Sequence, residues 1–317
     1  FMAADAAWEE KATSLLNLAG SDPSGYLGRL TSEEQKTLDE FRAQVASLEK
    51  SWTPDDADLL RYLRARQFDL AKALKMIEHS FAWFKKTNPD AINLEDIRQV
   101  YDSGNAMPFG VDKRGRKAMW FFTKFHTSTY SQQAIANAFW MMSTQLQGLP
   151  AGEECFTVVF DLTGYGMKNA DVKWCAAVIN GLQNNYPERM GMCLLVNPPS
   201  VFQLLWKVVK GWLAPRTVAK IEFIDGDYQK KLLSLFDVDQ IPSALGGTGT
   251  LTPQQYVCER AGPPPKEKPK KKGWFSWSRS GSAATSEGSN ASFEAEPMDE
   301  EARKLQEEFA KANVSED

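Results

Sequence analysis

Four short apolar runs, separated by helical patterns, constrain this chain more than anything else in it. They are residues 117–122 (KAMWFF), 155–161 (CFTVVFD), 192–197 (MCLLVN) and 220–225 (KIEFID). Each is too short for a helix and too continuously apolar for a strand with one wet face. Each therefore reads as a strand covered on both sides. Helical patterns fill the gaps at about 129–147, 169–185 and 200–213. The alternation β-α-β-α-β-α-β predicts an α/β domain with a mostly parallel sheet flanked by helices. Residues 251–257 (LTPQQYV) are a weaker further element.

The last helical pattern has almost no polar face. Residues 199–213 read PSVFQLLWKVVKGWL, and after Ser200 only Gln203, Lys207 and Lys210 are polar. Their spacing of four and three places them on one narrow stripe. Such a helix is buried in a core, laid on a membrane, or used to close an apolar cavity. The pattern alone leaves all three open.

The first hundred residues have a different character. Residues 1–28 mix small and polar types and are expected to form an extended or loosely helical arm. Ser32 begins a helix, with Ser-Glu-Glu-Gln as a capping box and Leu38, Phe41, Val45 and Leu48 at helical spacing. Thr53-Pro-Asp-Asp begins another that carries Leu59, Leu60 and Leu63. A third starts near Asp69, presents Leu70, Leu74, Ile77, Phe81 and Phe84, and ends at Asn88-Pro89. The expected division is an arm (1–28), a helical module (29–100), the α/β domain (101–262) and a tail (263–317).

The tail is low in complexity and reads as disordered, with a short helical tendency over 298–312 where Leu305 and Phe309 stand four apart. Its residues 266–279 (KEKPKKKGWFSWSR) join positive charge to Trp274, Phe275 and Trp277, which suits an anionic membrane surface. A solvated linker is the alternative.

Several functional classes fall away. The net charge of −4 gives no global attraction to nucleic acid. Cys155, Cys175, Cys193 and Cys258 form no CxxC pair and read as reduced thiols of a cytoplasmic protein. There is no signal peptide and no run of 18 apolar residues, so contact with a membrane is expected to be peripheral. The two histidines, His79 and His126, stand in no metal-binding pattern, and no metal or cofactor is expected. Nucleophile elbow, P-loop and GxGxxG motifs are absent. Asp161-Leu-Thr-Gly follows a strand and reads as a turn, so an enzyme is not expected.

Charged residues nevertheless flank the buried elements: Arg64, Arg66, Glu188, Arg189 and Lys220. An isolated charge beside buried strands is costly, so such groups pair with one another or hold a polar ligand. Either an interdomain network, with Glu188 answering Arg66 or Lys220, or a ligand site fits the sequence.

Several motifs in order carry a resemblance over about residues 54–250: LLRYLRARQFDLAKAL, DKRGR, VVFDLTGYG, NNYPERMG with LLVNPP, LAPRTVAKIEFI, and IPSALGG. In these the chain resembles the CRAL-TRIO lipid-binding family, particularly its phosphatidylinositol-transfer branch. The resemblance implies a helical N-terminal module, a cavity-bearing α/β domain, and a gating role for residues 200–213. It implies a headgroup site of Arg66, Glu188, Thr217 and Lys220, with Arg189 assisting. Phe156 and Val158 are expected in the cavity. Val201, Phe202, Leu205, Trp206, Val209 and Trp212 are expected to give the gate its apolar surface, and Lys207 and Lys210 to meet membrane phosphates. The implied ligand is phosphatidylinositol, carried by a monomer that docks transiently on membranes and serves phosphoinositide signalling. Phosphatidylcholine-carrying relatives place hydroxyls on the strand before the DLxG turn. Here that face carries Phe156 and Val158, with Thr157 opposite, which weakens the case for phosphatidylcholine and leaves the type of the second lipid open, a bulkier or less polar one such as a sterol or isoprenoid being one option. A carrier of another hydrophobe (sterol, retinoid or tocopherol) and a lipid-sensing signalling adaptor are the competing readings.

Overall fold

The structure is a computed structural model describing residues 2–18, 22, 24–146, 149, 153–250, and positions 300, 303, 304 and 307. The helices of the N-terminal part are α1 (Met2–Leu18), α2 (Ser32–Ala46), α3 (Asp56–Ala65), α4 (Leu70–Thr87) and the short α5 (Arg98–Asp102). Then come β1 (Ala106–Val111), β2 (Lys117–Phe122), α6 (Ser131–Leu146), β3 (Phe156–Asp161), α7 (Val172–Asn185) and β4 (Met190–Val196). The described α/β part ends with α8 (Phe202–Trp212), α9 (Pro215–Val218), β5 (Ile221–Ile224) and α10 (Tyr228–Leu235).

The strands lie in sequential order, β1 to β5, with β1 antiparallel to β2 and the other neighbours parallel. Sequential order with crossovers of one hand puts the crossover helices on one face. Accordingly α6, α7 and α8 share a core with Met119, Phe156, Val158, Cys193 and Leu195, hereafter the front face. Alternate residues Trp120, Val159, Leu194 and Val196 form the back face with α1 and α10. Gly181 of α7 permits close packing of α6, because a Cβ there would lie 2.3 Å from Phe139 Cζ.

Three features depart from the sequence expectations. Residues 2–18 form a regular helix packed on the sheet, where an extended or only loosely helical arm was expected. It is rich in alanine, the best helix former, and buries Ala12 and Leu15 against the back face. The capping box of α2 lies one residue earlier than Ser32: Thr31 accepts from the Glu34 amide, and the Glu34 carboxylate accepts from the Thr31 amide. Strand β1 precedes the first expected strand. Pro108 and Gly110 break its pattern, and both are tolerated because β1 is an edge strand whose register shifts between Pro108 and Val111.

The turn between β1 and β2 is the DKRGR segment, with Asp112 and Arg116 paired at 2.7 Å beneath the sheet. The helical module is fastened to the α/β domain at the end of α7. Ser80 Oγ donates to the Asn184 carbonyl at 2.9 Å, and Trp83 and Phe84 pack edge-on against Tyr186.

Candidate functional site

A cavity of about 730 Å3 separates the front face of the sheet from α6, α7 and α8. Its size falls within the range of ligand-binding pockets. Its floor consists of registered rows of apolar side chains. Met119, Val158, Cys193 and Ile221 form one row and Phe121, Phe160 and Leu195 the next, with Phe223 in register beside Leu195 but outside the cavity lining. Phe156 and Val158 line the cavity, whereas Thr157 is fully buried on the other side, where its hydroxyl donates to Asp112 Oδ2 at 2.6 Å. The strand alternation thus assigns the one hydroxyl on this stretch of β3 to the turn pair and leaves the cavity floor apolar.

Charged groups gather at the N-terminal edge of the parallel strands. Arg66, Glu188, Arg189, Thr217 and Lys220 all line the cavity there. Arg66 ends α3, and the chain then passes through two left-handed residues, Gln67 (φ 52°) and Phe68 (φ 60°). Glu188 is itself left-handed (φ 57°) between α7 and β4. Bulky residues rarely adopt this conformation, and its presence in both segments marks geometry imposed by the fold. Lys220 is almost wholly buried and donates to the Met190 carbonyl at 3.0 Å. Glu188 lies 3.7 Å from Lys220 Nζ and 3.4 Å from Arg216 Nε. Arg66 donates to the Ala65 carbonyl at 3.1 Å and has no carboxylate partner among the described residues. Of the two pairings open from the sequence, the structure forms Glu188–Lys220.

Arg189 is tied to the helical module, donating to the Glu154 carbonyl at 3.1 Å and approaching Asp58 at 3.5 Å. Burial lowers its pKa. Burial, then repulsion from Arg189, lowers Arg61 to about 10, while Asp58 and Glu154 answer the cluster. Arg64 joins it through Glu154 at 2.6 Å and the Gly25 carbonyl at 2.9 Å. These ties anchor α3 behind the mouth and fix the segment that carries Arg66.

Helix α8 closes the cavity. Phe202, Leu205, Trp206 and Val209 face the interior, and Trp206 meets Phe223 edge-on at 5.2 Å. Val201 and Trp212 pack against the same core at the helix ends without lining the cavity. Lys207 and Lys210 are exposed on the outer side, beside an exposed Leu204. Trp274, Phe275 and Trp277 lie outside the described residues. No helix among the described residues is long and apolar enough to cross a membrane.

Residues 101–247 match the CRAL/TRIO domain and residues 37–79 the CRAL/TRIO N-terminal domain. A SEC14 cytosolic factor from Kluyveromyces lactis is 31% identical over 248 residues, covering 71% of this chain and 81% of that protein. The chain belongs to the CRAL/TRIO family. A SEC14 cytosolic factor from Eremothecium gossypii is 30% identical, with 72% of this chain and 81% of that protein covered. The Arabidopsis thaliana phosphatidylinositol/phosphatidylcholine transfer protein SFH12 is 30% identical over 69% of this chain and 45% of its own length.

Within this CRAL/TRIO domain two groups of cavity residues escaped the sequence reading. Arg216 pairs with Glu188 and Asp22, and its only signal was its place beside Thr217. Asn105, Asn137, Tyr165 and Trp174 line the opposite end of the cavity and come from four separate segments, so no local pattern unites them.

Proposed function

We propose that this chain is a phosphatidylinositol-binding lipid-transfer protein. It takes a phospholipid from one membrane, encloses its acyl chains and carries or presents it at another. One observation carries this reading: a single cavity joins an apolar floor to a mouth holding Arg66, Glu188, Thr217 and Lys220. The Glu188 contacts of 3.4 and 3.7 Å are longer than close charge-assisted hydrogen bonds. These groups retain capacity for ligand oxygens. Cations and a hydroxyl suit a phosphodiester, and a carboxylate accepts from inositol hydroxyls. The names of the SEC14 and SFH relatives support the same reading.

Enclosure is what makes transfer feasible. At about 0.8 kcal/mol per methylene, thirty methylenes exposed to water cost on the order of 25 kcal/mol. A closed apolar cavity removes most of that cost. Helix α8 is the element that opens, and its exposed Lys207, Lys210 and Leu204 are the groups that meet the bilayer. The protein works as a monomer on the cytoplasmic side, peripheral to the membrane. Its ligand is its cargo, and no catalytic step or cofactor is assigned.

The test is mass spectrometry of lipids that copurify with the full chain and with Lys220→Ala and Glu188→Ala. Phosphatidylinositol should accompany the wild type and be lost from both variants. Retention by both variants would remove the headgroup site, and a different lipid in the wild type would remove the phosphatidylinositol reading.

A further inference from the structure

A second chamber, of about 590 Å3, adjoins the charged mouth outside the lipid cavity. The two share Arg64, Glu188, Arg189, Arg216 and Lys220. The rest of its wall comes from the start of α3, the turn between β1 and β2, the residues before β3, and Tyr26, Leu27 and Arg29 of the segment that links α1 to α2.

The charges of this chamber do not balance. Among the described residues, the guanidinium groups of Arg61, Arg64 and Arg189 share two carboxylates. Asp58 pairs with Arg61 and lies 3.5 Å from Arg189, while Glu154 lies 2.6 Å from Arg64 and 3.7 Å from Arg61. Asp55 and Glu153 also line the chamber, but backbone amides occupy them: Asp55 accepts from Asp58 at 2.7 Å, and Glu153 from Cys155 at 2.9 Å. Arg61 and Arg64 are only 4% and 6% exposed, and Arg64 Nε is buried with no hydrogen-bond partner. Arg114, in the same wall, donates to the Leu16 carbonyl at 3.1 Å and has no carboxylate partner among the described residues. A buried cation that is not fully answered is costly. Burial, then repulsion from Arg189 and Arg64, accordingly works against the charged form of Arg61. Such a wall calls for an anion.

The kind of anion follows from the donors. Guanidinium forks match phosphate oxygens, and a phosphomonoester brings a charge of about −1.5 to −2 at neutral pH together with three acceptor oxygens. A carboxylate brings a single charge and two oxygens. A nucleotide would need an open aromatic face for its base, and the ring in this wall, Tyr26, is covered by the Arg64 guanidinium at 4.0 Å. Glu188 and Lys220, the groups read as holding inositol, stand where the mouth meets the chamber. A substituent on that ring has the chamber next to it.

We infer that this chamber is an anion subsite for phosphomonoester groups carried on an inositol ring, so that the chain distinguishes phosphorylated inositol from the plain ring. The inference rests on the headgroup reading of the mouth and deepens it by extending the class of ligand. The ring is supplied by a phosphorylated phosphatidylinositol or by a free inositol phosphate.

Two arms with the full-length chain test it. In the first, the chain is incubated with phosphatidylcholine vesicles containing phosphatidylinositol, its 4-phosphate or its 4,5-bisphosphate, singly and in equal mixture. It is then separated from the vesicles, and the lipids it has carried off are measured by mass spectrometry. In the second, glycerophosphoinositol and its 4-phosphate and 4,5-bisphosphate are titrated calorimetrically. At least one ring-phosphorylated ligand should be preferred about tenfold over its plain counterpart, the equivalent of one hydrogen bond to a charged group. Preference in the vesicle arm identifies the lipid as the source, and preference confined to the soluble arm identifies a free inositol phosphate. No preference in either arm overturns the subsite without recourse to any variant. Arg64→Gln and Arg114→Gln, checked for folding by thermal unfolding, should each lower the preference several-fold, and Arg114→Gln should still load plain phosphatidylinositol. A preference undiminished in both variants overturns the subsite as well. Loading of phosphatidylinositol without any preference would leave the proposed function standing and remove the subsite. Preference in the soluble arm with no inositol lipid carried off the vesicles would do the reverse.

Discussion

The two faces of one sheet differ more than their sequences do. On β3, Val158 faces forward and Val159 backward, neighbours of the same type in the same strand. Val159 is fully enclosed among Trp120, Leu194 and Val196 under α1 and α10. Val158 borders the cavity. The back face is solid because its two covering helices press large side chains onto it, with Leu232, Leu235 and Phe236 at 0% exposure. The front face is hollow because α6, α7 and α8 form a roof over it. Hydrophobicity of a strand therefore sets that it is covered, and the covering helices set whether the cover is a core or a container.

Substitution at this pair gives the largest expected effects. Val159→Phe forces a ring into filled space and should cost about 3 kcal/mol or more, by urea unfolding. Val158→Phe should change stability by no more than about 1 kcal/mol, since the cavity takes the ring, while lipid loading falls. Equal destabilisation at the two positions would mean that the front face is also packed solid. The opposite substitution sharpens the contrast. Val159→Ala should cost about 2–3 kcal/mol from lost transfer energy and a new void. Val158→Ala should cost about 1 kcal/mol or less, because only part of its surface is in contact.

How much of this contrast was legible in the sequence depends on how local the signal was. The β-strand period of two placed Phe156 and Val158 on one face and Thr157 on the other, and the structure has that arrangement. The apolar α8 and the three parallel crossovers were equally readable, since each lies in a continuous segment. Strand β1 was not, because Pro108 and Gly110 disguise an edge strand. Helix α1 was not either, because Ala12 and Leu15 are too few to mark a buried stripe. Nor did the sequence show that Arg216 joins Glu188, or that Asn137 and Tyr165 share a compartment. Those contacts are made by tertiary folding alone.

Thr157 provides a smaller test of the same division between faces. Thr157→Val removes the hydroxyl that donates to Asp112 and should cost about 1 kcal/mol in stability. Because the side chain sits behind the floor, the ratio of lipids bound should stay as in the wild type. A change in that ratio, read by mass spectrometry, would show that the two sides of β3 are not independent.

The smallest expected effect concerns how the hollow face stays closed. Helix α8 has no side-chain cap at its N-terminus and no acidic residue in its first turn. Its C-terminal end is held instead. Gln183 of α7 donates through Nε2 to the Trp212 carbonyl at 3.0 Å and accepts at Oε1 from the Ala214 amide at 3.1 Å. One amide thus secures the exit of the roof helix while the entry is left to packing by Phe202, which meets Tyr165 edge-on at 5.6 Å. Gln183→Ala should cost about 1 kcal/mol in stability. If α8 is the moving part, release of fluorescent phosphatidylinositol to acceptor vesicles should change several-fold, a larger effect than the stability loss explains. Gln183→Glu keeps the acceptor for Ala214 and loses the donor to Trp212, so it should fall closer to alanine than to wild type. Release that is unchanged in both variants would mean that the clasp at Gln183 does not control opening and that the hollow face opens elsewhere along its roof.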